Sequence, residues 1–116
     1  MSGWTRVCAL DDLVPDRGAA ALVGGEQVAL FRLASGAVHA VDHRDPFTGA
    51  NVLARGLVGS RGELATVASP LHKQVFSLAT GQCLDDPAVR LRVWPVRVAG
   101  GQVEVAVAED EAKGVA

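Results

Sequence analysis

Residues 41–76 read VDHRDPFTGANVLARGLVGSRGELATVASPLHKQVF, and the layout of this stretch decides the fold. Short apolar runs flank two polar loops that each hold a proline: His43-Arg44-Asp45-Pro46-Phe47 and Ser69-Pro70-Leu71-His72-Lys73. Proline fixes its own φ and pushes the residue before it toward extended backbone, so neither loop continues as a helix. Residues 64–68 (LATVA) have the length and residue types of a strand, and residues 74–78 (QVFSL) follow the second loop as its hairpin partner. Glycines at 49, 56, 59 and 62 interrupt what lies between. Residues 43–62 therefore predict irregular backbone with at most one helical turn around residues 50–55.

The same punctuation continues outward in both directions. Residues 4–10 predict a first strand, ended by the polar turn Asp11-Asp12-Leu13-Val14-Pro15. Residues 17–23 and 26–33 predict a hairpin closed by Gly24-Gly25, and Ser35-Gly36 turns the chain into a further strand at 37–42. Beyond the second loop, Ala79-Thr80-Gly81-Gln82 predicts a turn in which Gly81 takes a positive φ. Residues 89–94 alternate as a strand, Pro95 limits pairing, and residues 96–98 and 102–107 form a last hairpin around Gly100-Gly101. Valines 103, 105 and 107 then share one face. Residues 109–116 are charged and patternless and predict a disordered tail, leaving residues 1–108 as one all-β antiparallel domain.

Composition narrows the functional classes. Eleven basic against thirteen acidic residues give a net charge of −2, and the only aromatics are Trp4, Phe31, Phe47, Phe76 and Trp94. That is not the basic stripe with stacking aromatics that nucleic-acid binding requires. No apolar run approaches the roughly 18 residues of a membrane span, and the first residues lack a secretory pattern, so a cytoplasmic protein is expected. The two cysteines, Cys8 and Cys83, stand far apart with no Cys-x-x-Cys grouping. Cys8 lies in an apolar stretch and is expected buried, whereas Cys83, beside a turn, is expected more exposed.

The order of meander, loop, hairpin, loop and returning strands resembles the Rieske-type domain family, over residues 4–107. That family carries Cys-x-His and Cys-x-x-His on two loops around a two-iron, two-sulfur cluster. The resemblance implies a Rieske-like antiparallel β sandwich with an inserted two-loop subdomain. Asp45-Pro46-Phe47 stands where Cys-Pro-His is expected, and Ser69-Pro70-Leu71-His72 stands for Cys-x-x-His. In these details the chain is more similar still to the small subunits of assimilatory NAD(P)H-dependent nitrite reductases. The resemblance then implies a non-catalytic small subunit, in the reduction of nitrite to ammonium, that docks to a large catalytic subunit. FAD, sirohaem, an iron–sulfur cluster and NAD(P)H are expected on that large subunit. Two alternatives stay open: a true Rieske electron-transfer ferredoxin, and a β interaction domain that has lost its redox role.

The residues at the four ligand positions argue against a cluster here. Such a cluster needs two thiolates and two imidazoles. Asp45 offers only hard oxygen, Phe47 offers no donor, and Ser69 holds a hydroxyl that deprotonates with difficulty at a site favouring soft ligands. Only His72 is retained. Asp45 is expected either to pair with Arg44 or, as the preferred reading, to accept backbone amides and pin its loop. Phe47 is expected to pack beneath Leu71. A mononuclear metal on His39, His43, Asp45 and His72 can be imagined, but the spacing is weak support for it. No His/Asp partner can be placed beside Ser69 from spacing, so a nucleophilic role is not favoured. Partner docking is expected of His43, Arg44, His72, Lys73, Arg90 and Arg92, with Arg97 in the same basic set.

Overall fold

The computed structural model describes residues 3–107. Strands run as β1 (Trp4–Ala9), β2 (Gly18–Val23), β3 (Glu26–Arg32), β4 (Val38–Asp42), β5 (Leu57–Arg61), β6 (Leu64–Ala68), β7 (Val75–Ser77), β8 (Val93–Trp94), β9 (Val96–Ala99) and β10 (Gln102–Ala106). Single 3-10 turns occupy Leu10–Asp12 and Leu53–Arg55. All pairings are antiparallel, in three sheets ordered β1-β10-β9, β2-β3-β4-β8 and β5-β6-β7. The all-β, Rieske-like architecture expected from the sequence is the one observed. Among the described residues no helix is long and apolar enough to cross a membrane.

The four-stranded sheet lies in the middle, and its two faces feed two cores. Side chains alternate along a strand. Val28 and Leu30 of β3, with Ala40 and Trp94, therefore meet Val103 and Val105 of β10 on one side. Ala29 and Phe31, with Val41, meet Leu53, Val67 and Phe76 on the other. This double burial explains why residues 28–31 read as an unbroken apolar run instead of alternating. Burying a Val, Leu or Phe of this kind stabilises by roughly 1.5–3 kcal/mol, so β3 anchors both layers. Its hairpin with β2 turns on Gly24 and Gly25, both at positive φ (58° and 83°), as a two-residue turn requires.

Everything from His43 to Leu91 is an insertion between two paired strands. The Asp42 amide donates to the Arg92 carbonyl at 3.0 Å, and β4 pairs directly with β8 through Ala40–Trp94 and Val41–Val93. The insertion carries the β5-β6-β7 sheet and both proline loops. Pro95 then ends β8 and delivers the chain to β9 in the neighbouring sheet; its carbonyl accepts the Ala106 amide at 2.9 Å. A residue without an N–H suits that switch point.

Several expectations need correction. Leu57–Arg61 is a strand, not irregular backbone: it pairs with β6 along its whole length. The strand expected over residues 89–94 shrinks to Val93–Trp94, with Arg90 making only an isolated bridge to Gln82. Cys83 is fully buried, because the chain after the Gly81 turn folds back across β7 and bridges Phe76. Cys8 is only half-buried, on the edge strand β1. Val107 is exposed beyond the end of β10, unlike Val103 and Val105. The expected tail at 109–116 lies outside the described residues.

Candidate functional site

The two proline loops leave the ends of β4 and β6 and meet over a buried hydrogen bond. Ser69 Oγ donates to Asp45 Oδ2 at 2.5 Å, and both side chains are essentially inaccessible to solvent. Asp45 Oδ1 accepts the Phe47 amide at 2.8 Å, and Ser69 Oγ accepts the Leu71 amide at 3.2 Å. The Asp45 backbone adds bonds to Ala50 and Gly49, and the Ser69 amide donates to the Gln74 carbonyl. Each loop is thus closed on itself, and the two are tied together through one pair of side chains. One amide, that of Phe47, meets the preferred reading of Asp45 as an acceptor of backbone amides. Its bond to Ser69 is the part that spacing does not reveal.

His43 secures the base of the first loop. Its Nδ1 accepts the Ala54 amide at 3.1 Å, which places the proton of the neutral ring on Nε2. Its carbonyl accepts the Val52 and Leu53 amides, both at 3.0 Å, so the 3-10 turn hangs from this one residue. Burial, and then the positive charge of Arg55, hold the His43 pKa below its ordinary value. At 6% exposure His43 is not a surface contact, which corrects its expected place in a docking face.

Phe47 departs from the packing expected for it. It is not buried beneath Leu71; each is 38% exposed, and the Phe47 ring leans on Phe76 with centroids 6.2 Å apart. His72 and Lys73, also exposed, both adopt left-handed backbone, at φ 56° and 58°. Such strain in residues with a Cβ is concentrated at functional turns and clamps. His72 makes no side-chain hydrogen bond with the described residues.

The other expected contact residues lie elsewhere and are largely engaged. Arg92 is held by Asp42, through Nε at 3.0 Å, and by Glu26, and these carboxylates keep its guanidinium firmly protonated. Trp94 Nε1 donates to the same Asp42 carboxylate at 2.9 Å. Arg97 pairs with Glu104 at 2.6 Å and lies over the Trp4 ring. Arg90, exposed, donates to the Thr80 carbonyl at 3.0 Å. Arg92 and Arg97 are therefore committed to carboxylates of this chain, and Arg90 to a backbone carbonyl. Only Arg44, His72 and Lys73 of the expected docking set are both exposed and carried by the paired loops.

These loops do not suit a two-iron, two-sulfur cluster. The oxygens at the two thiolate positions are 2.5 Å apart, closed on one another. Two ligands bound to one tetrahedral metal at about 2 Å each stand more than about 3 Å apart. Phe47, at one imidazole position, has no donor atom. Among the described residues no three His, Cys, Asp or Glu side chains gather as a metal site, so His39, His43, Asp45 and His72 do not converge on one.

Comparison with known proteins agrees with the architecture. Residues 3–106 match the Rieske-like [2Fe-2S] domain family. The nitrite reductase (NADH) small subunit of Salmonella typhimurium is 46% identical over 107 residues, 90% of this chain and 98% of the relative. The NMR structure of the Escherichia coli protein NirD superposes with a TM-score of 0.85 at 41% identity, covering 92% of this chain and 98% of that one. A nitrite reductase [NAD(P)H] large subunit of Klebsiella oxytoca is 41% identical over 102 residues, 88% of this chain but 11% of that protein. With the match running almost end to end in sequence and in fold, this chain belongs to the Rieske-like [2Fe-2S] domain family and, within it, to the nitrite reductase small subunits.

Proposed function

We propose that this chain is the small, non-catalytic subunit of an NAD(P)H-dependent nitrite reductase, working in the cytoplasm in the reduction of nitrite to ammonium. The observation that carries the reading is the likeness to nitrite reductase small subunits over 98% of their length. It is reinforced by a large subunit that contains, within its own polypeptide, a segment 41% identical to this chain. A domain that occurs fused to a large subunit in one protein is naturally its associated subunit in another.

In this reading the flavin, the sirohaem, the iron–sulfur cluster and the NAD(P)H site reside on the large subunit. This chain contributes assembly and shape, not an electron-carrying centre. The donor set supports that division, since three of the four ligand positions hold aspartate, phenylalanine and serine. A ferredoxin role would need soft ligands that these loops lack.

The test is reconstitution. Large subunit purified without this chain is expected to lose nitrite turnover or thermal stability, and stoichiometric addition of this chain is expected to restore it. Iron and sulfide assays on the small chain alone are expected to find no stoichiometric cluster. Turnover, assembly and stability all independent of the small chain would overturn the reading.

A further inference from the structure

We infer that the tip formed by the two proline loops is the face this chain docks with, and that its occupant is an apolar recess rimmed by acidic side chains on the large subunit. The inference rests on the small-subunit reading above and adds where, and with what chemistry, the partner is met.

The first support is a preorganised apolar pair. The Phe47 amide donates to Asp45 and the Leu71 amide to Ser69, so both residues are fixed at the backbone to the same buried pair. Both remain 38% exposed although the Phe47 ring stands 6.2 Å, centroid to centroid, from the buried Phe76 ring. Rigid loops holding exposed apolar side chains lose little freedom on association, which favours affinity.

Charge supplies the second support. The only acid in residues 43–49 and 69–74 is Asp45, and it is buried. The exposed ionisable groups of these loops are Arg44, His72 and Lys73. Arg44 and Lys73 have no ion-pair partner among the described residues, in contrast to Arg92 and Arg97. A chain of net charge −2 thus presents Arg44 and Lys73 unpaired on the loops that carry its apolar pair, with the exposed Asp85 carboxylate, which accepts the Val75 amide at 2.9 Å, at the foot of the second loop. Complementary charge around such a contact sets association rate and orientation.

Backbone strain gives the third. Two successive non-glycine residues, His72 and Lys73, are held left-handed at the apex of the second loop. The more exposed leucines, Leu22 and Leu57, stand singly on β2 and β5, and isolated apolar residues on a surface are ordinary.

Binding of the purified small chain to the cognate large subunit, followed by surface plasmon resonance over a range of salt, tests the proposal. The charge reversals Arg44→Glu and Lys73→Glu alter exposed side chains. Each is expected to slow association about tenfold at low salt and to flatten or invert the salt dependence. Phe47→Ser with Leu71→Ser, checked for folding by thermal melting, is expected to weaken affinity at least about tenfold. Leu22→Ser and Leu57→Ser are expected to bind as the parent does. Tip variants that bind normally, or a loss confined to the Leu22 or Leu57 variants, would overturn the docking face while leaving the subunit reading intact. Failure of the parent chain itself to bind the large subunit would overturn both.

Discussion

At Asp45 and Ser69 a single hydrogen bond holds two loops 24 residues apart in sequence. Ser69→Ala removes the donor and leaves a buried carboxyl oxygen unpartnered, a loss of roughly 1–3 kcal/mol in urea unfolding. Asp45→Ala should cost at least as much, because it also strands the Phe47 amide. The double variant should fall short of the sum of the two, with a coupling above about 0.5 kcal/mol. Additive effects would mean that the two side chains do not support one another. His43 gives a separate, pH-dependent test. Burial, followed by the Arg55 charge, lowers its folded pKa, and burial lowers that of His39. Unfolded histidine titrates near 6.5, so between that pH and the lower folded value the unfolded chain binds more protons. The stabilisation is complete above about pH 6.5 and is lost as pH falls toward the folded pKa. Urea midpoints should therefore drop between pH 7.5 and pH 5.5, and His43→Gln should flatten the slope. An unchanged slope in that variant would assign the effect to other groups.

At the level of elements, the join between β4 and β8 depends on Asp42, which accepts from the Arg92 amide and guanidinium and from the Trp94 indole. Trp94 is buried, so Asp42→Ala should cost about 2–3 kcal/mol by stranding its N–H and loosening the β8 pairing. Glu26 is a different matter. It meets Arg92 in a partly exposed pair that water and salt screen, and Glu26→Gln should cost less than about 1 kcal/mol. Equal losses from the two would show that the ion pair, and not the indole bond, secures the join. None of this was legible from local spacing, because Asp42 and Glu26 lie 50 and 66 residues from Arg92. The strands with turn chemistry at their ends were legible. Gly24-Gly25, Ser35-Gly36 and Gly100-Gly101 delimit β2, β3, β4, β9 and β10 to within a residue or so. β5 was hidden because Gly59 interrupts it and Leu57, at 78% exposure, points away from the core, so no alternation marks it. Gly81 was legible and sits at φ 78°; a Cβ there would come within 2.1 Å of the Leu91 carbonyl oxygen.

For the whole molecule, the loop pair is a site whose scaffold and ligand chemistry have parted company. The Asp-Pro turn betrayed the amide-accepting role of Asp45, and the order of meander, loop, hairpin, loop and returning strands, through its resemblance to a known family, betrayed the fold. The Asp45–Ser69 bond and the burial of His43 were invisible, since both arise only when the insertion folds over the central sheet. If the scaffold alone is sufficient, the triple variant Asp45→Cys, Phe47→His and Ser69→Cys, which retains His72, should take up iron and sulfide on reconstitution. It should then show the visible absorption of a two-iron, two-sulfur centre. A colourless, folded product would mean that the loop backbone has itself moved away from the ligand geometry.

The chain leaves the central sheet at Asp42 and comes home to it at Arg92, with the two backbones 3.0 Å apart from amide to carbonyl. The whole insertion is therefore a cartridge with adjoining ends, open to exchange through just two splices. Cutting it out is another matter, because Ala29, Phe31 and Val41 would be stripped of their cover. Its ends can be respliced, but its underside and the Asp45–Ser69 tie between its loops have to stay.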